Sequence, residues 1–169
     1  GETVYFDLMD KYKENKKNGG SRRDFLEMAA DIEGLYVPAF YDVEYNDDGT
    51  LKSFTPNNPH AKTKINKQLV MDMDNTYYPE KPLVPFIKAT QDRVVLEIQR
   101  GCIRGCRFCQ AGSVYKPVRE RSLEFLKDKA YKMLKNTGHE EISLSSLSSS
   151  DYSNLEGLVN FLIEEFKNK

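Results

Sequence analysis

The first third of the chain shows apolar residues at helical spacing, followed by a stretch in which they alternate. Apolar positions three or four residues apart predict a helix over about residues 4–17. Ser21, with Asp24 three residues later, is typical of a helix N-cap, and Gly34 would close this second helix. Residues 41–54 then alternate on either side of an Asn-Asp-Asp-Gly sequence, which predicts a β-hairpin.

The last part of the chain has a different pattern. Residues 94–98 form a dense run of β-favouring side chains, and a polar loop follows them. Ser122 is the predicted cap of a helix that Gly138 ends, and residues 142–144 predict a second strand. Residues 153–156, Ser-Asn-Leu-Glu, have the pattern of a capping box and would open a last helix. This order predicts an α/β fold with a parallel sheet, whose chemistry is expected at the C-terminal ends of the strands.

A proline-rich segment separates the two patterns and sets the predicted domain boundary. It predicts loop or extended chain, with a short strand at residues 67–71. Five of the seven prolines lie in it: Pro56, Pro59, Pro79, Pro82 and Pro85. We therefore predict an α+β N-terminal extension over residues 1–92 and an α/β core over residues 93–169.

The net charge and the hydropathy of the chain argue against two classes of protein, nucleic-acid binders that are basic overall and membrane-spanning proteins. The net charge of −1 argues against a globally basic nucleic-acid binder. No apolar run approaches the ~18–20 residues of a membrane span, so no membrane partner is expected. The chain opens Gly-Glu-Thr with no apolar leader. We expect a cytoplasmic setting and a piece of a longer protein.

The candidate chemistry lies in the cysteines. All three fall within eight residues, as Cys102, Cys106 and Cys109, with the spacing C-x3-C-x2-C. A secreted disulfide scaffold would spread an even number of cysteines along the chain. The close spacing of these three cysteines instead indicates a metal or iron–sulfur site. Three thiolates can hold three corners of a cubane cluster and leave one iron open to a small molecule.

Zinc is the alternative ligand of these thiolates. A zinc site usually requires a fourth ligand and C-x2-C pairs. The histidines, His60 and His139, lie far from the cysteines in sequence. This comparison favours an iron–sulfur cluster over zinc. Gly105, between the first two cysteines, is expected to let the loop fold tightly around the bound group.

The string RGCIRGCRFCQAGSVYKPVRERS at residues 100–122, with EISLSSLSSSDY at residues 141–152, resembles the radical S-adenosylmethionine superfamily. That superfamily has the motif C-x3-C-x-aromatic-C in the loop after its first barrel strand, and Phe108 occupies the aromatic position. The two strings look like one branch of it, which is similar to the cobalamin-associated and methylthiotransferase-like Fe–S oxidoreductases. The resemblance implies that residues 93–169 are a truncated radical SAM core, the first two βα units of a partial (β/α) barrel.

The resemblance also implies cofactors and site residues. The three cysteines would bind a [4Fe–4S] cluster, and Phe108 would lie against the adenine of S-adenosylmethionine (SAM). At the end of the second strand, Ser148, Ser149, Ser150 and Asp151 would contact SAM, where many members carry glycines and a glutamate. No catalytic residue beyond these is implied.

The implied activity is that of an enzyme that cleaves SAM reductively to methionine and a 5′-deoxyadenosyl radical, which acts on an unknown substrate. Flavodoxin or ferredoxin would supply the electron, and RNA is one candidate substrate. Members of the branch carry a cobalamin-binding-like region upstream. The resemblance therefore implies that residues 1–92 are the tail of an upstream domain and that cobalamin is a candidate cofactor of the full-length protein. With two βα units, the chain is expected to be inactive alone.

The basic residues around the cysteines support a second interpretation. Six lie between residues 100 and 121, against Glu120 alone: Arg100, Arg104, Arg107, Lys116, Arg119 and Arg121. They would offset the charge of thiolates and SAM, meet substrate phosphates, or form an ordinary solvated face. The alternative function is therefore a small module with zinc or a structural Fe–S cluster, whose basic loop contacts RNA.

Overall fold

The computed structural model describes residues 2–87 and 89–167. Gly1, Lys88, Asn168 and Lys169 lie outside the described residues, and with them the outer ends of both predicted domains. The chain divides into two units, residues 1–70 and 71–169. This division places the second half of the proline-rich segment with the C-terminal unit, whereas the sequence placed the boundary at residue 93.

The first unit contains two helices and a hairpin, as predicted. Its elements are α1 (Glu2–Lys17), α2 (Arg22–Ala30), a 3₁₀ turn (Pro38–Phe40), β1 (Tyr41–Tyr45) and β2 (Leu51–Pro56). The two strands pair antiparallel. The apolar core of the unit is small: Ala30, Val37, Phe40 and Tyr41.

Local sequence signals account for most of these boundaries. The Ser21 hydroxyl accepts a hydrogen bond from the Asp24 amide, and the Ser21 amide donates to the Asp24 carboxylate at 2.7 Å, so the capping box is present. The helix ends at Ala30, before Gly34, whose φ of +86° lies in the turn that follows. The strand predicted at residues 67–71 is wrong. Leu69 and Met71 are exposed there, so the segment lacks the half-buried face that stabilises a strand.

The second unit is a mixed α/β arrangement in the predicted order. Its strands β3 (Val94–Glu97) and β6 (Ile142–Ser145) pair in parallel through the crossover helix α4 (Leu123–Thr137). The other elements are β4 (Gln99–Arg100), α3 (Ala111–Val114), β5 (Arg119–Glu120), a 3₁₀ turn (Ser149–Asp151) and α5 (Leu155–Phe166). None of the helices in the described part of the chain has the length and apolar content that a membrane span requires.

The ends of α4 follow the sequence, whereas the start of α5 does not. The Ser122 hydroxyl accepts a hydrogen bond from the Phe125 amide, and Gly138, with φ of +73°, caps the other end of α4. The capping box predicted for α5 is wrong, because Asn154 is its N-cap and makes no side-chain cap bond. The Ser153 amide donates instead to the Glu120 carboxylate at 3.0 Å.

The core of the second unit lies between the strand pair and its helices. Strand β3 contributes its inward side chains, and α4 and α5 cover them. Its buried members are Tyr78, Val94, Leu96, Ile98, Leu126, Ala130, Met133, Tyr152 and Leu158. Tyr78 comes from the proline-rich segment, so part of that segment packs into the core of the second unit.

A buried arginine joins this segment to the end of β3. The side chain of Arg121 has no exposed surface. Its guanidinium donates to the Met73 carbonyl and to the Glu97 carboxylate, the latter at 3.1 Å. The rings of Tyr78 and Phe125 lie 4.6 and 4.9 Å from the guanidinium carbon. Hydrogen bonds and cation–π contacts offset part of the desolvation of this charge, whereas the Arg121 Nε is buried with no hydrogen-bond partner among the described residues.

The stability of the second unit should depend on the ionisation of Glu97. Burial by itself would raise the pKa of Glu97, but hydrogen bonds from Arg100 and Arg121 outweigh it and hold the pKa below its ordinary value of 4.5. Because the unfolded chain then binds more protons, this stabilisation is full above pH 4.5 and is lost as the pH falls through the folded-state pKa.

We therefore expect Glu97→Gln to lower the urea midpoint at neutral pH, with a difference from wild type that shrinks below pH 4.5. The measurement is a series of urea unfolding curves across that range. Glu164→Gln, which removes one charge from the exposed face of α5, is the control. A Glu97→Gln deficit that is constant with pH would contradict the expectation.

Candidate metal centre at the cysteine loop

The cysteines lie in a loop at the C-terminal end of β3, residues 101–118, which we call the cysteine loop. A short antiparallel ladder closes its base, with Gln99 opposite Glu120 and Arg100 opposite Arg119. The Arg121 amide donates to the Ile98 carbonyl at 2.9 Å and extends this closure. The β4–β5 ladder therefore holds both ends of the loop beside the end of β3, and no pattern in the sequence predicts a ladder of two residues.

A glycine at the base of the loop is required by the backbone. Gly101 has φ of +93°, and a Cβ there would lie 2.7 Å from the Tyr115 carbonyl oxygen and 2.8 Å from that of Pro117. Gly105 has no such constraint, because its φ is not positive and a Cβ there would meet nothing within 4 Å. The backbone constraint of the loop lies at Gly101, and the role expected of Gly105 around a bound group stays a prediction.

The two glycines form a matched pair for mutation. We expect Gly101→Ala to destabilise the second unit by about 1–3 kcal/mol, because the new methyl group combines an unfavourable φ with backbone collisions. Gly105→Ala should leave stability within about 0.5 kcal/mol of wild type. Urea unfolding of both variants tests this, and equal midpoints would show that the base of the loop tolerates a side chain.

The three thiols are free in the structure. Cys102 is half-buried, whereas Cys106 and Cys109 are exposed. The Arg104 amide donates to the Cys102 sulfur at 3.4 Å, and the Cys109 amide donates to the Cys106 carbonyl at 3.1 Å. Within residues 2–87 and 89–167, no three His, Cys, Asp or Glu side chains are arranged to hold a metal ion. The loop therefore presents the donors without a preformed coordination geometry.

The chemistry of the donor set nonetheless fits an iron–sulfur cluster. The cysteine motif, residues 102–109, holds three unbridged thiols and no carboxylate, together with Arg104 and Arg107. Thiolates are the soft ligands that iron–sulfur clusters take, and the two guanidinium groups add positive charge beside them. The histidines have other partners: His60 contacts Asp31 at 3.0 Å, and His139 contacts Asp92 at 3.2 Å.

Asp151 is brought to the cysteine loop by a side-chain pair. The Arg104 guanidinium donates from Nε to the Asp151 carboxylate at 2.9 Å and from Nη2 to its other oxygen. Asp151 is 10% exposed and Arg104 is 60% exposed. The Arg104 guanidinium, and then the Ser148 hydroxyl, hold the pKa of Asp151 below its ordinary value. The carboxylate is therefore ionised and already partnered within the chain.

The predicted serines lie in the same turn, where they bond mainly to one another. The hydroxyls of Ser146 and Ser149 are 3.0 Å apart, and the Ser148 amide donates to the Ser146 hydroxyl at 3.2 Å. Ser150 is exposed. Their contact with SAM stays a prediction.

Gln99 also reaches this turn, although the sequence did not single it out. It is 2% exposed, and its Nε2 donates to the Ser148 carbonyl at 2.7 Å. Its Oε1 is buried with no hydrogen-bond partner in the described residues. A glutamine directly after the apolar run that ends at Ile98 was the signal available in the sequence.

The aromatic residue of the motif faces solvent. Phe108 is 93% exposed, and the neighbouring Ile103 is 63% exposed. Leu83 and Phe86, which are not part of the cysteine loop, are at least as exposed as Phe108, so the exposure of Phe108 by itself assigns no ligand. Contact between Phe108 and adenine stays a prediction.

A cavity of about 410 Å³ lies at the opposite end of the strand pair. It is lined by Asp92, Arg93, His139 and Glu141, among others, at the N-terminal ends of β3 and β6. It includes no residue of the cysteine loop. In parallel sheets chemistry is expected at the C-terminal ends of the strands, so the cysteine loop is the stronger candidate.

The chain is 34% identical over 105 residues to the uncharacterized protein MJ0966 of Methanocaldococcus jannaschii, an alignment that covers 57% of this chain and 24% of the relative. The chain thus spans about a quarter of the length of that relative. No solved structure matches the chain significantly. Residues 96–168, from β3 through the cysteine loop to the end of α5, match the model of the radical SAM superfamily.

Proposed function

We propose that the second unit binds a [4Fe–4S] cluster through Cys102, Cys106 and Cys109 and uses it with SAM. The observation that carries the proposal is three free thiols on one loop at the C-terminal end of β3, inside a segment that matches the radical SAM model. When bound, the cluster and SAM supply reductive cleavage of the sulfonium and a 5′-deoxyadenosyl radical, whereas the protein binds and orients them.

Different residues of the site would bind the cluster, balance its charge and contact SAM. The three thiolates would hold iron, and Arg104 and Arg107 would offset the negative charge of the site. The exposed ring of Phe108 would lie against the adenine, and the hydroxyls of residues 148–150 would face SAM. Asp151 lies in the same turn, and its carboxylate is paired to Arg104.

The finer assignments rest on the resemblance and the strand order. We propose that β3–α4 and β6–α5 are the first two βα units of a partial barrel in a cytoplasmic enzyme. Its branch would be the cobalamin-associated, methylthiotransferase-like one, with a flavodoxin or ferredoxin as electron donor. Barrel sites draw residues from the ends of several strands, so these two units would cleave SAM slowly without turning over a substrate. The substrate is unassigned, with RNA one candidate.

The testing experiment is anaerobic reconstitution with iron and sulfide, followed by addition of SAM. We expect about four iron and four sulfide per chain and a visible spectrum that changes when SAM is added. Stoichiometric zinc in the purified protein, with no cluster after reconstitution and no response to SAM, would overturn the proposal. That result would support the alternative module.

The alternative, an RNA-contacting module, has less support because most of the basic residues are occupied. Arg100 pairs with Glu97, Arg104 pairs with Asp151, and Arg121 is buried. Of the loop's basic side chains, Arg107 is exposed and makes no hydrogen bond or ion pair with the described residues. This leaves few free cations for a phosphate backbone, which proteins contact with many.

A further inference from the structure

The first cysteine lies between two contacts to one short turn. On its N-terminal side, the buried Gln99 amide donates to the Ser148 carbonyl at 2.7 Å. On its C-terminal side, Arg104 binds both oxygens of Asp151. Both partners belong to residues 148–151, the turn that follows β6. Cys102 is accordingly the least exposed of the three thiols.

We propose that Arg104 and Asp151 are positioning residues, which hold residues 102–106 of the cysteine loop against the turn at residues 148–151. In this role Asp151 acts on the bound group through Arg104 and does not touch it. The identity of that group rests on the function proposed above for the three cysteines, whereas the tether consists of contacts within the chain itself.

The geometry of the pair supports this role. A guanidinium that donates two parallel hydrogen bonds to one carboxylate is fixed in orientation as well as in distance. Asp151 is 10% exposed, so the anchoring side of the pair is held by its surroundings. Arg104 follows Cys102 by two residues and precedes Cys106 by two, so fixing it restricts both.

The rest of the loop shows why a tether is needed. Cys106, Phe108 and Cys109 are exposed, so packing does not hold this part of the loop. A flexible loop loses conformational entropy when its thiols converge on one ligand. A loop already fixed at Gln99 and Arg104 has fewer conformations to lose, which favours binding.

Hydrogen–deuterium exchange of the metal-free protein tests the tether directly. In Arg104→Ala and in Asp151→Asn, we expect exchange in residues 102–106 and 148–152 to be about fivefold faster than in wild type. The matched control is Arg107→Ala, which removes the same charge from the same loop but breaks no pair. Unchanged exchange at α4 would confirm that the variants are folded. If Arg104→Ala exchanges like Arg107→Ala, the proposal is wrong.

The double variant separates a direct pair from two independent effects. If the two side chains act through each other, Arg104→Ala with Asp151→Asn should exchange no faster than either single variant. Multiplied effects in the double variant would contradict a shared tether.

Reconstituted protein then separates positioning from direct binding. We expect Arg104→Ala and Asp151→Asn to lose iron to a chelator about fivefold faster than wild type, while the cluster that remains responds to SAM at the wild-type concentration. An Asp151→Asn protein that keeps loop protection and cluster but loses the SAM response would make Asp151 a direct ligand and overturn the proposal. A wild type that takes up no cluster would refute the proposed function, and the exchange data would still decide the tether.

Discussion

Cys106→Ala should abolish stable binding of the cluster. A [4Fe–4S] centre is normally held by cysteine thiolates at four irons, and the described chain offers three. With two thiolates left, two irons would depend on solvent or exogenous ligands, so the cluster should not survive desalting. Iron and sulfide are expected to fall from about four per chain to background. The same result is expected for Cys102→Ala and Cys109→Ala.

A serine in the same loop provides the control for this loss. Ser113→Ala removes one side-chain heteroatom from an exposed position of α3 and leaves all three thiols in place. Reconstituted in parallel, it should bind as much iron as wild type. Equal iron in Cys106→Ala and Ser113→Ala would show that Cys106 is not a ligand.

Arg121→Ala should cause the largest loss of stability. The guanidinium is buried, bonds to the Met73 carbonyl and Glu97, and lies against the ring of Tyr78. Its removal leaves the Met73 carbonyl without this hydrogen-bond donor and opens a cavity. It also leaves Glu97 with one arginine partner instead of two. Breaking a buried charge pair from one side costs about 3–5 kcal/mol. We expect a loss at or below the lower end, about 2–3 kcal/mol, because Glu97 is partly exposed to solvent and keeps Arg100.

Urea unfolding measures this loss, and two variants refine it. Arg107→Ala removes an exposed arginine of the same unit and should change stability by less than about 0.5 kcal/mol. Arg121→Met fills most of the space without the charge, so its deficit isolates the hydrogen bonds from the packing. An Arg121→Ala midpoint equal to that of Arg107→Ala would mean that the buried network contributes nothing.

Much of the fold could be predicted because its signals are local. The hairpin of β1 and β2, the cap at Ser122 and the stop at Gly138 each depend on a few neighbouring residues. The capping box at Ser153 failed because Glu120, 33 residues earlier in the chain, takes the Ser153 amide. A local motif is a weak guide where a distant side chain competes for the same hydrogen-bond donor.

The candidate site could also be predicted only in part, because some of its features are local in sequence and others are not. The spacing of the cysteines could be found in the sequence because it lies within eight residues. The contact between Arg104 and Asp151 spans 47 residues, and that between Arg121 and Met73 spans 48. Neither leaves a periodic pattern in the sequence. The need for glycine at position 101 depends on carbonyls of Tyr115 and Pro117, which only the folded loop brings there.

The burial of Arg121 has a consequence for the choice of a minimal recombinant domain. A polypeptide that started at residue 93, where the hydrophobic pattern changes, would lack the Met73 carbonyl, the Thr76 hydroxyl and the Tyr78 ring that surround the guanidinium. The Arg121 guanidinium would then be exposed to water at the end of β3, next to apolar side chains that Tyr78 no longer covers. Such a product should aggregate. Starting at residue 71 keeps those groups, and we expect this longer version to express as a soluble monomer.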